Sequence, residues 1–199
     1  MAIDLGLAIG GDGNREWYVS TEPTEEPITK DELKTYARID GSAEDDLLDS
    51  FIKSVRIATE NYLGRALVTQ SLILSMDYWP GMVIKLPRPK LISVTEIRTV
   101  DESGTETTYS SDNYYAQTIP EPGQVVIKQG YSFPINEDRD YGGYEIEFVA
   151  GYGAASVVPS NIKEAMKIWA TVLYETRVPI ADPPDMAKTL MNSEKILRI

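Results

Sequence analysis

Glycines before a helix, paired carboxylates and clustered tyrosines are the residues of this chain whose types and spacing suit chemistry. The stretch "VAGYGAASVVPSNIKEAM" (Val149–Met166) sets Gly151 and Gly153 ahead of a helical pattern. Glycines in that position can cradle a phosphate on a helix N-terminus. A dinucleotide loop, however, needs G-x-G-x-x-G early in a βαβ unit, and here Ser156 stands at the third glycine position, late in the chain. A P-loop ends in Gly-Lys-Ser/Thr, and that tripeptide does not occur. The pair therefore reads as a joint, with backbone angles that suit glycine where a strand leaves its sheet.

Glu145 and Glu147 share one strand face, with Asp138 and Asp140 just before them. Two carboxylates at suitable separation can hydrolyse a glycosidic bond, but strand-face glutamates are usually only solvated. "DESGTE" (Asp101–Glu106) offers oxygen ligands without the spacing or the distal glutamate of a calcium loop. It reads as a hairpin turn. Twelve tyrosines, Tyr109, Tyr114, Tyr115, Tyr141, Tyr144 and Tyr152 among them, can stack sugars or bases. Without basic companions they suit a half-buried sheet or a protein interface better. Met166 and Trp169 lie at helical spacing and read as core. No catalytic residue, metal ligand or cofactor site is assigned.

Composition narrows the chemistry further. The 199 residues include no cysteine and no histidine. That removes disulfides, thiolate metal sites, the commonest general base and the usual activator of a serine nucleophile. The net charge is −12, and residues 1–60 carry 14 acidic against 6 basic side chains. Such a surface does not grip phosphate backbones, although DNA can pass it without sticking. No apolar run approaches the roughly 20 residues that span a bilayer, and the start has no basic n-region. A cytoplasmic origin is the default expectation.

The elements that position these residues follow from patterning. Residues 1–28 read as a mostly irregular arm, with turn-favouring "IGGDGN" and proline-punctuated "STEPTEEP". Thr29 and Glu32 have capping-box spacing, which predicts a helix over about 29–39. An apolar stripe from Leu47 to Leu63 predicts a second over about 43–63, its first turn holding Glu44, Asp45 and Asp46. Residues 66–153 alternate as strands. Ile162, Ala165, Met166, Trp169, Val172 and Leu173 predict an amphipathic helix over 160–177. The fold class is α+β: a helical core of two N-terminal helices and one C-terminal helix, an inserted antiparallel β region, and extended arms at both ends. The domains are an arm (1–28), a central domain (29–178) and a tail (179–199). The tail ends in "EKILRI" and shows no evident interior of its own, so it is expected to dock on a partner.

The order of segments resembles the head–tail connector (adaptor) family of long-tailed phages and phage-like particles, also called phage DNA-packaging proteins. The matching stretches are "ITKDELKTYARIDGSAEDDLLDSFIKSVRIATENYLGRAL", "LPRPKLISVTEIRTVDESGTETTY", "EPGQVVI" and "EFVAGYGAASVVPSNIKEAMKIWATVLYETR". A closing pattern is carried by Ala150, Gly151, Tyr152, Gly153, Val158, Pro159, Ile162, Lys163, Ala165, Tyr174, Glu175 and Arg177. The resemblance covers roughly residues 28–178. It implies a dodecameric, non-enzymatic ring in the virion neck, between the portal and a stopper or tail terminator, that lengthens the DNA channel. It implies no cofactor. On this reading the tail docks on the portal through Met186, Leu190, Ile196, Leu197, Arg198 and Ile199. Glu44, Asp45, Asp46 and Asp49 are the candidates to face the channel and repel passing DNA. The residues alone leave two other readings open: a carbohydrate-binding or depolymerising tail component, and a monomeric binding module.

Overall fold

The structure is a computed structural model that describes residues 10–11, 14–119, 121–136, 139–178 and 182–196. It is mixed α+β, and the chain divides into two compact units. One unit holds the residues before Pro23 together with Thr69–Gly151. The other holds Pro23–Val68 and the chain from Tyr152 onward.

The first unit is a β-sandwich. Its large sheet has the order β1-β2-β3-β9-β5-β6, and its small sheet β4-β8-β7. The strands are β1 (Gly10–Gly11), β2 (Arg15–Thr21), β3 (Gln70–Met76), β4 (Val83–Lys85), β5 (Leu91–Val100), β6 (Glu106–Tyr109), β7 (Tyr114–Gln117), β8 (Gln124–Ile127) and β9 (Tyr144–Ala150). All pairings are antiparallel. Alternation sends Leu72, Leu74, Met76, Ile97, Ile146, Phe148 and Ala150 to one face of the large sheet, where all are buried. Ile84, Val125, Ile127 and Tyr114 are the buried face of the small sheet. Two contacts show the sheets stacked on these faces. Tyr109 and Tyr114 lie ring on ring at 6.3 Å, and a methyl added to Gly123 would sit 2.3 Å from Leu91 Cβ.

The N-terminal arm departs from the sequence reading. Arg15–Thr21 is not irregular: it is β2, paired with β3 through Tyr18↔Ile73 and Trp17↔Leu74. Its partner strand lies some fifty residues away in sequence, beyond two helices, so local turn signals on either side hid it. Arg88 lies over the Trp17 ring at 4.5 Å and holds that side chain of the strand.

The second unit is helical: α1 (Lys30–Ala37), α2 (Asp45–Leu63), α3 (Ser160–Thr176) and α4 (Asp185–Met191). The capping box at α1 is present, with Thr29 Oγ1 accepting from the Glu32 amide and Glu32 accepting from the Thr29 amide. Gly64 ends α2 at φ 72°. α3 begins after Pro159 with no side-chain cap. Leu33, Leu48, Ile52, Val55, Leu63, Ile162, Ala165, Met166, Trp169, Ala187 and Met191 form one core.

The tail also departs from the expectation that it lacks an interior. α4 packs along α3, and Ala187 and Met191 are fully buried in this core. Pro184 stands just outside the helix start, and Ala187, Leu190 and Met191 form its apolar stripe at steps of three and four.

Candidate interaction surfaces

The glycine pair sits where the chain passes from one unit to the other. Gly151 and Gly153 have φ of 133° and 119°, angles that side chains rarely adopt. The Gly151 amide donates to Lys90 O, and the Tyr152 amide donates to Leu67 O. Both amides are thus committed to backbone, not turned outward to receive a phosphate. Tyr152 carries the side-chain hydrogen bonds of the joint. Its hydroxyl accepts from Arg65 Nη1 at 2.6 Å and donates to Glu194 Oε2 at 2.9 Å. Burial, with Glu194 adding to it and Arg65 opposing it, pushes the Tyr152 hydroxyl up to about 12.

That hydroxyl is one part of a polar clasp on the C-terminal segment. Tyr62 Oη donates to Asn192 Oδ1 at 2.9 Å, and Lys195 Nζ lies 3.9 Å from the centroid of the Tyr62 ring. The Ile196 amide donates to Leu63 O at 2.9 Å. Asn161 Nδ2 donates to Leu190 O at 3.0 Å. Of the expected docking residues, Leu190 and Ile196 are therefore partly buried on their own chain, while Met186 is 72% exposed. Leu197, Arg198 and Ile199 lie outside the described residues. α4 falls in the segment expected as an extended tail, and the clasp partners, from 29 to 130 residues apart in the chain, leave no local sign.

The four acidic candidates on α2 differ in how much charge they present. Glu44 accepts from Tyr174 Oη at 2.5 Å and from Arg177 Nη2 at 2.6 Å. These two bonds, the Tyr174 hydroxyl first, hold its carboxyl below the usual range. Asp45 is bound by Lys34 at 2.5 Å and flanked by Lys30 at 3.6 Å, and the Lys34 hydrogen bond lowers its pKa likewise. Asp49 is exposed and receives Lys30 Nζ at 2.9 Å. Asp46 is exposed and lies apart from these pairs. Three cations thus answer the group, and Asp46 is its least compensated member.

On the large sheet, Glu145 and Glu147 meet Arg98. Arg98 Nη2 lies 2.6 Å from Glu145, and Nη1 lies 3.3 Å from Glu147. Glu96 and Glu106 stand 3.6 Å from the same guanidinium. Both carboxylates are thus engaged by the one guanidinium. Asp140 does not join them in any ion pair, and Asp138 lies outside the described residues. Tyr18, on the same face, has its hydroxyl pushed up by burial and then by the charge of Glu145. The field there is negative despite Arg98.

Asp101 closes the hairpin turn as an acceptor, taking Ser103 Oγ at 2.7 Å and the Thr105 amide at 2.8 Å. The tyrosines are structural in part: Trp79 lies 6.0 Å from Tyr144 and 6.5 Å from Tyr109. Among the described residues there is no group of three or more acidic side chains placed to hold a metal ion, and no helix is long and apolar enough to cross a membrane.

Comparison with known proteins agrees with this organisation. The fold is similar to a chain in the neck of an empty GTA particle computed with C6 symmetry, at TM-score 0.79 and 23% identity, covering 92% of this chain and 96% of that one. It is similar to a chain in the virion of the native gene transfer agent (GTA) particle, at TM-score 0.76 and 23% identity over the same shares. A chain in the neck of the native GTA particle computed with C12 symmetry matches at TM-score 0.69 and 22% identity, over 90% of this chain and 96% of that one. No curated protein matches the sequence. The profile of the family described as "Phage gp6-like head-tail connector protein" matches residues 28–124, which span α1, α2 and the strands through the start of β8. Over that segment the chain is similar to the phage gp6-like head-tail connector family.

Proposed function

We propose that this chain is a structural head–tail connector of a phage or phage-like particle. Copies form a ring, twelve in number, between portal and stopper or tail terminator, and the ring extends the DNA channel without catalysing a reaction. The observation that carries the reading is the coincidence of two findings. The connector profile covers residues 28–124, and the fold of nearly the whole chain matches chains of GTA necks, one of them computed with C12 symmetry. The family is one of structural virion components, which accords with carboxylates tied to cations and with the Gly151 and Tyr152 amides tied to backbone.

The channel role rests on net charge. Twelve copies at −12 each make an acidic ring, and like charge repels DNA phosphates so that the duplex slides. Asp46 and Asp49 are the exposed carboxylates of α2 and the best placed of the four to act so. Glu44 and Asp45 serve chiefly as acceptors for Tyr174, Arg177, Lys30 and Lys34.

Portal docking takes a narrower form than a free arm. The clasp anchors the chain as far as Ile196, and of the described docking candidates Met186 is the exposed one; Leu197, Arg198 and Ile199 remain docking residues of the proposal. Removing residues 180–199 would strip Ala187 and Met191 from the core, whereas removing 197–199 leaves the clasp in place. Particles produced without this chain test the whole reading. The expected result is DNA-filled heads and separate tails that do not join. Normal joined particles would refute it.

A further inference from the structure

The two outer faces of the β-sandwich carry opposite electrostatic character. On the large sheet, the register aligns Tyr18↔Ile73↔Glu147↔Glu96 and Glu16↔Ser75↔Glu145↔Arg98. Glu106 comes to the same face beside Arg98. Five carboxylates (Glu16, Glu96, Glu106, Glu145 and Glu147) therefore share a face on which Arg98 is the one cation among the described strand residues. Glu106 is 59% exposed at its side chain.

The outward face of the small sheet is the reverse. Val83, Val126 and Tyr115 align across its three strands, and Lys85, Gln124 and Gln117 form the next row. Val83 is 50% and Tyr115 56% exposed. Lys128 lies over the Tyr115 ring at 4.7 Å. Among the described residues, the outward row positions Val83, Lys85, Gln117, Gln124, Val126 and Tyr115, with Lys128 over the Tyr115 ring, include two lysines and no carboxylate. An exposed aromatic and aliphatic row rimmed by charge is the composition of a protein interface.

These faces point in opposite directions because each sheet turns its buried side to the other. Complementary surfaces on opposite sides of one body are what a head-to-tail, ring-closing contact requires. We propose that, in the connector ring, the outer face of the small sheet of one copy packs on the carboxylate face of the large sheet of the next. This rests on the ring reading above. The apolar row supplies buried area, while Lys85 and Lys128 meet Glu96, Glu106 and their neighbours and set the orientation.

Charge reversal on each face separately tests this. K85E/Q117E makes the small-sheet face acidic; E16K/E96K/E106K makes the large-sheet face basic. Apart from Glu96, these side chains are exposed, and circular dichroism confirms that the variants fold. Each variant alone puts like charges in every contact. Its association, read by native mass spectrometry of the full chain and by copies incorporated per particle, falls by about tenfold or more. An equimolar mixture restores rings, because strict alternation makes every contact complementary again. The two variants then occur in equal number within each ring. Wild-type rings with indifferent variants, or with variants that the mixture does not rescue, overturn the face pairing and leave the connector reading standing. A wild-type chain that enters no ring in particles overturns both.

Discussion

Met191→Ala tests whether the C-terminal segment belongs to the helical core. Met191 ends α4 and is fully buried, beside Ala187 and against α3. Truncation forfeits the transfer free energy of the thioether side chain and leaves a cavity, together about 2–5 kcal/mol for a buried Met. α4 has only seven residues and can shift to fill part of the space, so the expected loss is about 2–3 kcal/mol. Met186, one turn away and 72% exposed, is the internal control: Met186→Ala should change stability by less than about 0.5 kcal/mol. The chain has three tryptophans. In a Trp17→Phe, Trp79→Phe background the fluorescence reports Trp169 alone, which sits in the same core. Urea unfolding followed at that residue should show the midpoint of M191A lowered by about 1 M or more. Equal midpoints for M191A and M186A would refute the packing of α4 and return the tail to a free arm.

Three further outcomes are expected. Glu44 has its pKa lowered in the folded chain, by the Tyr174 hydroxyl and then Arg177. Its contribution is therefore present above its ordinary value of 4.5 and is lost as pH falls through the folded value. Glu44→Gln should flatten the acid limb of the thermal-melt profile, and an unchanged limb would count against these bonds. Gly153→Ala meets no neighbour within 4 Å but must adopt φ near 119°. Backbone strain alone should cost about 1 kcal/mol or more in denaturant unfolding, and a neutral result would mean that the joint relaxes. Arg98→Met leaves Glu145 and Glu147 side by side without their cation. It should destabilise the sandwich by about 2 kcal/mol at neutral pH. Part of that loss should return when Glu145→Gln is added, and a strictly additive double variant would contradict the ion-pair geometry.

What could be read from the chain follows the range of the interactions involved. The Thr29–Glu32 box, the Gly64 stop and the apolar stripes of α2 and α3 involve neighbours within one or two turns, and their signals are local. The Asp101–Gly104 turn between β5 and β6 is of the same kind. β2 was hidden because its stability comes from β3, far along the chain, and from Arg88 over Trp17. β7 (Tyr114–Gln117) has no β-branched residue and is held as a strand by its register with β8. The clasp around Tyr62, Arg65 and Tyr152 joins groups 42 to 130 residues apart, which no period or motif encodes. The carboxylates were visible as residues, but their cations were not. Only the fold brings Arg98 to Glu145, and Arg177 to Glu44.

The central claim is the place and form of the assembly, and a reconstruction of the particle neck at side-chain resolution tests it most directly. The account predicts twelve copies of this chain in one ring between portal and tail, its lumen lined with acidic side chains and each small-sheet face seated on the large sheet of a neighbour. The same chain found as a spike at the tail periphery, or as an isolated copy outside the neck, would contradict it.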